Sequence, residues 1–336
     1  MKGKFALFLI TVLILYTTSE AQTKINVFAA NWNLENLFDT IDDPNKDDSE
    51  FLHSSEQQWT PERLEMKFEK LAAVIRSMND WKGPDILGVQ EVENLTVLEL
   101  FTSKYFPDKY YKVGYAESPD NRGIDAGLIY NADKFNLLSI ITDTVVLPDK
   151  YPTRLILTVN LLSRGNDTLH VIVNHWPSRR GGEQESEINR ITAAAAARKA
   201  ADRYLEFDQN ANILLLGDFN DEPTNSSLVE VLKAVQFDCN NKTESPDSVL
   251  FNLAYQKCVE GEGSYLYRGD WNMLDQIIIS KALIDNFTCG SFEVYKPDFM
   301  VTRSGKFKGA AFPTYGSGKY LGGYSDHFPV IAKFKL

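Results

Sequence analysis

Apolar residues fall along this chain in two rhythms. Leu64, Phe68, Leu71, Ile75 and Met78 recur at three- and four-residue steps, the period of one helix face. Thr60 suits the cap of that helix, Pro61 its first turn, and Glu62 faces the positive end of its dipole. A second helix is predicted over 186–205, through the alanine run from Ala193 to Ala197, and a third over 226–235. Elsewhere short apolar runs predict strands at 24–29, 86–89, 126–130, 155–161, 169–173, 213–216, 277–280 and 329–335. Strands outnumber helices, and many are apolar on both faces, as in a sheet covered on each side.

Polar motifs stand at the ends of these runs: Asn31-Trp32-Asn33-Leu34-Glu35-Asn36, Gln90-Glu91, Gly217-Asp218-Phe219-Asn220 and Ser325-Asp326-His327. A buried strand that ends in a carboxylate delivers it to a rim, so the four motifs read as one divided site. Carboxylate and carboxamide oxygens are what a hard divalent cation prefers, and histidine beside them moves protons near neutral pH. The combination points to metal-assisted hydrolysis of a phosphate ester.

With 336 residues, 43% of them hydrophobic, and neither a periodic repeat nor a low-complexity linker, the economical organisation is one domain over 22–336. Residues 1–21 have the charged start, short apolar core and small-residue exit of a secretory signal peptide, with a signal anchor as the alternative. No later stretch is long and apolar enough for a membrane span, so the expectation is a secreted or periplasmic monomer without stable membrane insertion. Loss of Lys2, Lys4 and Glu20 takes the net charge from −11 to −12. That acidity disfavours nonspecific wrapping of nucleic acid, yet it is compatible with a nuclease that handles one phosphate at a time. Three cysteines, Cys239, Cys258 and Cys289, allow one disulfide in any of three pairings, or three buried thiols. Residues 39–50 carry six acids against one lysine without the spacing of an EF-hand, and read as a solvated loop. Residues 299–325 carry Arg303, Lys306, Lys308 and Lys319 and no acid; they form either a substrate-facing loop or a plain glycine-rich one.

The ordered motifs together resemble the endonuclease/exonuclease/phosphatase family, metal-dependent phosphoesterases related to deoxyribonuclease I. The resemblance spans nearly the whole mature chain. It implies an α+β fold, a four-layer αββα sandwich of two mixed β-sheets flanked by helices, with the site at one rim. It implies that Asn33, Glu91 and Asp326 hold Mg²⁺ or Mn²⁺, that Asp218 and Asn220 place and deprotonate the attacking water, and that Asp275 orients His327 against the phosphoryl oxygens. Taken singly, Asn33 also reads as a strand-end cap, Glu91 as half of a salt bridge, and Asp218 with Asn220 as a polar turn. His175, in Asn174-His175-Trp176-Pro177-Ser178-Arg179, matches the histidine of deoxyribonuclease-like members and suits protonation of the leaving alkoxide. The same segment is similar to the histidine, aromatic, serine, basic pattern of secreted bacterial nucleases, which makes Arg179 a substrate-binding candidate. Arg122 is another, able to grip phosphate in two-point fashion, or else is paired with Asp125 or another acid.

The expectation is therefore a secreted, Mg²⁺- or Mn²⁺-dependent phosphodiesterase whose phosphate-ester substrate is nucleic acid, DNA or RNA. The first rival is a phosphatase or phospholipase C-like hydrolase of small organophosphates or lipid headgroups. The second is a noncatalytic binding protein on the same scaffold.

Overall fold

A computed structural model describes residues 24–239 and 249–336. The expected leader over 1–21 lies outside the described residues. In chain order the strands are β1 (Asn26–Leu37), β2 (Ile86–Val92), β3 (Tyr111–Tyr115), β4 (Asp125–Asn131), β5 (Phe135–Asp143), β6 (Ile156–Ser163), β7 (Thr168–His175), β8 (Asn212–Asp218), β9 (Ala234–Gln236), β10 (Leu250–Asn252), β11 (Tyr265–Tyr267), β12 (Asp270–Asn272), β13 (Asp275–Ser280), β14 (Glu293–Val294), β15 (Tyr315–Gly316), β16 (Lys319–Tyr320) and β17 (Val330–Lys335). The α-helices are α1 (Pro61–Trp81), α2 (Leu95–Tyr105), α3 (Glu187–Leu205) and the short α4 (Tyr255–Val259).

Six strands form one sheet in the order β14-β17-β1-β2-β4-β3, and seven form the other in the order β5-β6-β7-β8-β13-β10-β9. Both are mixed: β1 and β2 run parallel, as do β7 and β8, while β1 with β17 and β8 with β13 are antiparallel. The sheets pack face to face through β1, β2, β8 and β13, with α1 and α2 outside the first sheet and α3 outside the second. This is the expected α+β sandwich.

Period-two alternation explains why β8 is apolar throughout. Leu214 and Leu216 face the core between the sheets, while Ile213 and Leu215 face α3. Of the α3 residues in that second core all but Leu205 are alanines, Ala193, Ala194, Ala197, Ala200 and Ala201, and their small side chains let the helix lie close on the sheet. The sheets also come close at β2. A Cβ on Gly88 would sit 2.7 Å from Asn31 Oδ1 and 3.0 Å from the Leu216 Cβ.

The α1 and α3 expectations hold, and Thr60 Oγ1 accepts from the Arg63 N–H as the α1 cap. The helix expected over 226–235 does not form. Only a π-helical turn, Ser227–Val231, is present; Lys233 has φ 59°, and β9 then pairs in parallel with β10. Sheet pairing of 234–236 outweighs helical propensity there. Helix α2 has no counterpart among the expected elements, although Asn94 caps it by accepting from the Val97 N–H. The first strand runs on through the polar motif to Leu37 instead of stopping at 29. Within the acidic segment, Asp42, Asp47 and Glu50 are exposed as expected of a solvated loop, while Asp48 is buried and accepts from the Asp43 N–H.

Of the three pairings, the structure has Cys239–Cys289, a sequence separation of 50; Cys258 is a half-buried free thiol. Closing a loop of this size restricts the unfolded chain by about 4 kcal/mol in the chain-entropy model. Cys239→Ser, or reduction of the wild type, is expected to lower the melting temperature by about 5 °C. A thermal melt with and without dithiothreitol checks this, and the reductant should leave the variant's melting temperature unchanged.

Candidate active site

Register brings the polar motifs together. Across the second sheet His175, Asp218 and Asp275 are direct neighbours at the ends of β7, β8 and β13. Gly217, before Asp218, allows the strands to close there, since a Cβ would come within 2.5 Å of the Asn174 carbonyl oxygen. On the first sheet β1 is irregular between Asn33 and Leu37, and β2 between Gln90 and Val92. These bulges put Glu35 (φ 52°), Asn36 (φ 56°) and Glu91 (φ 60°) in the left-handed region, as is Asn220 (φ 50°). Such backbone is costly for residues other than glycine and re-aims side chains out of the pleat.

The side chains interlock across the two sheets. Asn31 Nδ2 donates to Gln90 Oε1 at 3.1 Å and to Asp275 Oδ1 at 3.2 Å, and Gln90 Nε2 returns a bond to Asn31 Oδ1 at 2.8 Å. Asn33 Nδ2 donates to Asp218 Oδ2 at 3.1 Å, and the Asn220 N–H to Asp218 Oδ1 at 2.9 Å. The Asn36 N–H donates to Glu91 Oε2 at 3.0 Å. His175 Nε2 lies 3.9 Å from Glu91 Oε1 and 3.8 Å from Asp218 Oδ2. His327 Nδ1 donates to Asp275 Oδ2 at 2.7 Å, and the Tyr265 ring stacks on the imidazole with centroids 4.6 Å apart. Ser325 Oγ donates to the Asn33 carbonyl and accepts from the His327 N–H.

Glu91, Arg122, Arg154, His175, Asp218 and His327 are among the residues around the resulting cleft of about 180 Å³, to which Asn220 and Asp326 also contribute. Burial raises the pKa of Glu91, Asp218 and Asp326; the His327 charge pulls each of them part of the way back, while Asp218 acting on Glu91, Asp275 on Asp218 and Glu91 on Asp326 push upward. Burial opposes charge on His327 too, but Asp275, Asp326 and Asp218 outweigh it and hold its pKa well above the ordinary value. His175 goes the other way. Burial, then Arg154, Arg122 and His327, keep it neutral.

The carboxylates crowd against one another around an oxygen-rich cleft, which suits a hard divalent cation that relieves their repulsion. Among the described residues, no group of three or more His, Cys, Asp or Glu side chains forms a ready metal cage. Ions such as Mg²⁺ and Mn²⁺ keep several waters and need few protein ligands. Glu91 and Asp326 are the residues that would hold such an ion. Asn33 contacts Asp218 through its amide, while its Oδ1 accepts from the Glu35 N–H.

The two arginines fare differently. Arg122 reaches the cleft, and its guanidinium pairs with Asp120 at 3.3 Å, not with Asp125, which accepts from the Ser118 N–H and the Tyr115 hydroxyl. Arg179 is absent from the cleft lining. Its guanidinium donates to the Asn220 carbonyl, Asn272 Oδ1 and Asn225 Oδ1 and pairs with Asp221 and Glu183, so it braces the Asp218–Asn220 turn from behind. Two groups carried no sequence signal strong enough to select them. Arg154 donates to the His175 and Trp176 carbonyls and pairs with Asp120. Glu35 accepts from the Thr314 and Tyr315 N–H groups, lies 3.8 Å from Lys67 Nζ, and has its pKa raised to about 7 by burial and then by Asp326. Glu35 stands inside the first motif, two residues after Asn33, which was the available clue.

The model of the Endonuclease/Exonuclease/phosphatase family matches residues 28–335. The chain belongs to that family. No curated protein matches its sequence significantly. Among solved structures, the human Nocturnin catalytic domain is similar at 16% identity and TM-score 0.53, covering 93% of this chain and 97% of that one. ANGEL2, a 2′,3′-cyclic phosphatase, is similar at 16% identity and TM-score 0.56, covering 93% and 96%. The Bacteroides thetaiotaomicron mannosyl-6-phosphatase Bt3783 is similar at 15% identity and TM-score 0.55, covering 91% and 98%. At these identities the likeness is one of fold.

Lys67 is buried under the site, donating to the Tyr324 carbonyl at 2.8 Å and to Thr314 Oγ1. Lys67→Met leaves Glu35 buried without its cation. The expected loss is about 3 kcal/mol, measured by urea unfolding, and adding Glu35→Gln should recover part of it.

Proposed function

We propose that this protein is a secreted or periplasmic, divalent-metal-dependent phosphoester hydrolase in which an activated water attacks phosphorus. The observation that carries the reading is the position of Asp218, hydrogen-bonded by Asn33 and the Asn220 N–H, with His175 on one side and the Asp275–His327 dyad on the other. A bound Mg²⁺ or Mn²⁺ would polarise the phosphoryl oxygens and neutralise their charge. Asp218, held at both oxygens, orients and deprotonates the water, with Asn220 beside it. His327, kept charged by Asp275, stabilises charge growing on the phosphoryl oxygens. His175 is neutral at rest and serves the leaving oxygen as a hydrogen-bond donor or proton carrier. Export is supported by the leader sequence and by the disulfide, which belongs to an oxidising compartment.

Nucleic acid is the proposed substrate class, supported by Arg122 in the cleft and by the exposed Arg303, Lys306, Lys308 and Lys319 of the acid-free segment before Asp326. A second reading, a small organophosphate, is favoured by the narrowness of the cleft and by the acids Asp47 and Glu50 on the wall of the space next to it.

Activity on a short oligonucleotide or an aryl phosphodiester should vanish in EDTA and return with Mg²⁺ or Mn²⁺. Glu91→Gln should cut turnover at least about a hundredfold with an unchanged melting curve; full turnover in chelator would remove the metal from the mechanism. His175→Ala and His327→Ala should each cost at least about a hundredfold in kcat. Asp275→Asn should lose rate along with His327→Ala, and the double variant should be no slower than the worse single one. A near-normal rate for His327→Ala would make the dyad a packing feature.

A further inference from the structure

A larger space of about 560 Å³ opens beside the catalytic cleft, and Arg122 lines both. Glu35 and Asn36 at the end of β1 border it on the cleft side, and its other walls come from the acidic loop after β1, Ile124, the Tyr151 segment, Arg180 and the β15 strand. Four aromatic residues line it, Phe38, Phe51, Tyr151 and Tyr315. Phe51 is stacked on Phe38 at 4.0 Å, Tyr315 leans on Trp59 at 6.1 Å, and Tyr151 is exposed. Asp47 and Glu50, both exposed, add carboxylate acceptors, and Arg180 adds a donor. Neighbours hold the two carboxylates in place: Ser49 Oγ donates to Asp47 Oδ1, and Gln57 Nε2 to Glu50 Oε2.

This lining rejects two kinds of group. An acyl chain would strip water from carboxylates and guanidinium with no hydrogen bonds in return. A second phosphate would meet Asp47 and Glu50 at close range. It suits a neutral ring with several hydroxyls. Each hydroxyl both donates and accepts, so carboxylates and an arginine around one ring can satisfy them together, while the aromatic faces cover its C–H surface. We propose that this space is the subsite for a hydroxyl-bearing sugar ring attached to the scissile phosphate, with Arg122 at the junction between ring and phosphate. The inference rests on the phosphoester-hydrolase reading of the neighbouring cleft. The ring could be that of a monosaccharide phosphate or the ribose of a ribonucleotide; the chemistry recognised is the same.

The test uses the full mature chain and the variant Asp47→Asn/Glu50→Gln, whose exposed positions leave folding intact, as a melting curve verifies. Its kinetics are compared on a hexose 6-phosphate, a short oligoribonucleotide, its deoxy counterpart and a sugar-free control, bis(p-nitrophenyl) phosphate. For whichever hydroxyl-bearing substrate the wild type turns over, the variant's KM is expected to rise about tenfold, the scale of lost hydrogen bonds to charged groups, with kcat and the aryl control unchanged. Turnover of the hexose phosphate or of the ribonucleotide identifies the source of the ring. Equal KM values for wild type and variant on the sugar substrates, or an equal loss on the aryl control, overturns the subsite. Titration of the wild type and the variant with a hexose 6-phosphonate and with a non-hydrolysable ribonucleotide separates the two readings. Binding weakened about tenfold in the variant without turnover of any ester would retain the subsite and reject the hydrolase, whereas turnover of the aryl ester with no binding of either analogue would do the reverse.

Discussion

One carboxamide holds the rim together. Asn31 sits on β1 in the first sheet, exchanges two hydrogen bonds with Gln90 on β2, and reaches across to Asp275 on β13 in the second sheet. It is fully buried, so its bonds have no competition from water. Around it the two sheets must end in the same place, because Asp275 in turn holds His327 and lies beside Asp218. Gly88 follows from the same constraint: a side chain there would strike the Asn31 amide oxygen and Leu216. The amide, the glycine and the sheet packing are one arrangement, and the geometry of the cleft is its consequence.

The rim concentrates more negative charge than the local cations relieve. Glu91, Asp218 and Asp326 all have raised pKa values, and Glu35 behind them is raised to about 7. Buried carboxylates in such proximity persist only where hydrogen bonds and counter-charge compensate them. Asn33, the Asn36 and Asn220 N–H groups, Lys67 and His327 supply part of that compensation, and a divalent ion would supply the remainder. The two histidines are set apart by the same field. His327 faces Asp275, Asp326 and Asp218 and is charged; His175 has Arg154 and Arg122 as neighbours and is neutral. Two identical side chains thereby have their pKa values driven in opposite directions within one cleft.

Arg122 and Arg179 show how far residue type alone can mislead. Both are arginines near catalytic motifs. Arg179 makes contacts on every side and stiffens a turn, while Arg122, anchored on Asp120, keeps a half-exposed guanidinium in the cleft. Loop 39–50 is a similar case. Its acids read as solvation along the chain, yet in space Asp47 and Glu50 wall a cavity next to the site.

What the chain determined by itself was whatever local periodicity and motif order encode: the α1 and α3 helices, the buried strands, and the carboxylates at their ends, since burial pattern and turn chemistry are properties of adjacent residues. The segment 226–235 marks the limit, because helix propensity was overruled by the pairing of β9 with β10. Glu35, Lys67, Arg154, the Asn31 bridge and the Cys239–Cys289 link were decided only by tertiary structure. Each depends on a partner from tens to hundreds of residues away; for the polar groups the selecting energy is the desolvation of a buried charge or amide answered by a distant neighbour, and for the cysteines it is the approach of two remote segments, and both exist only after the chain has closed on itself.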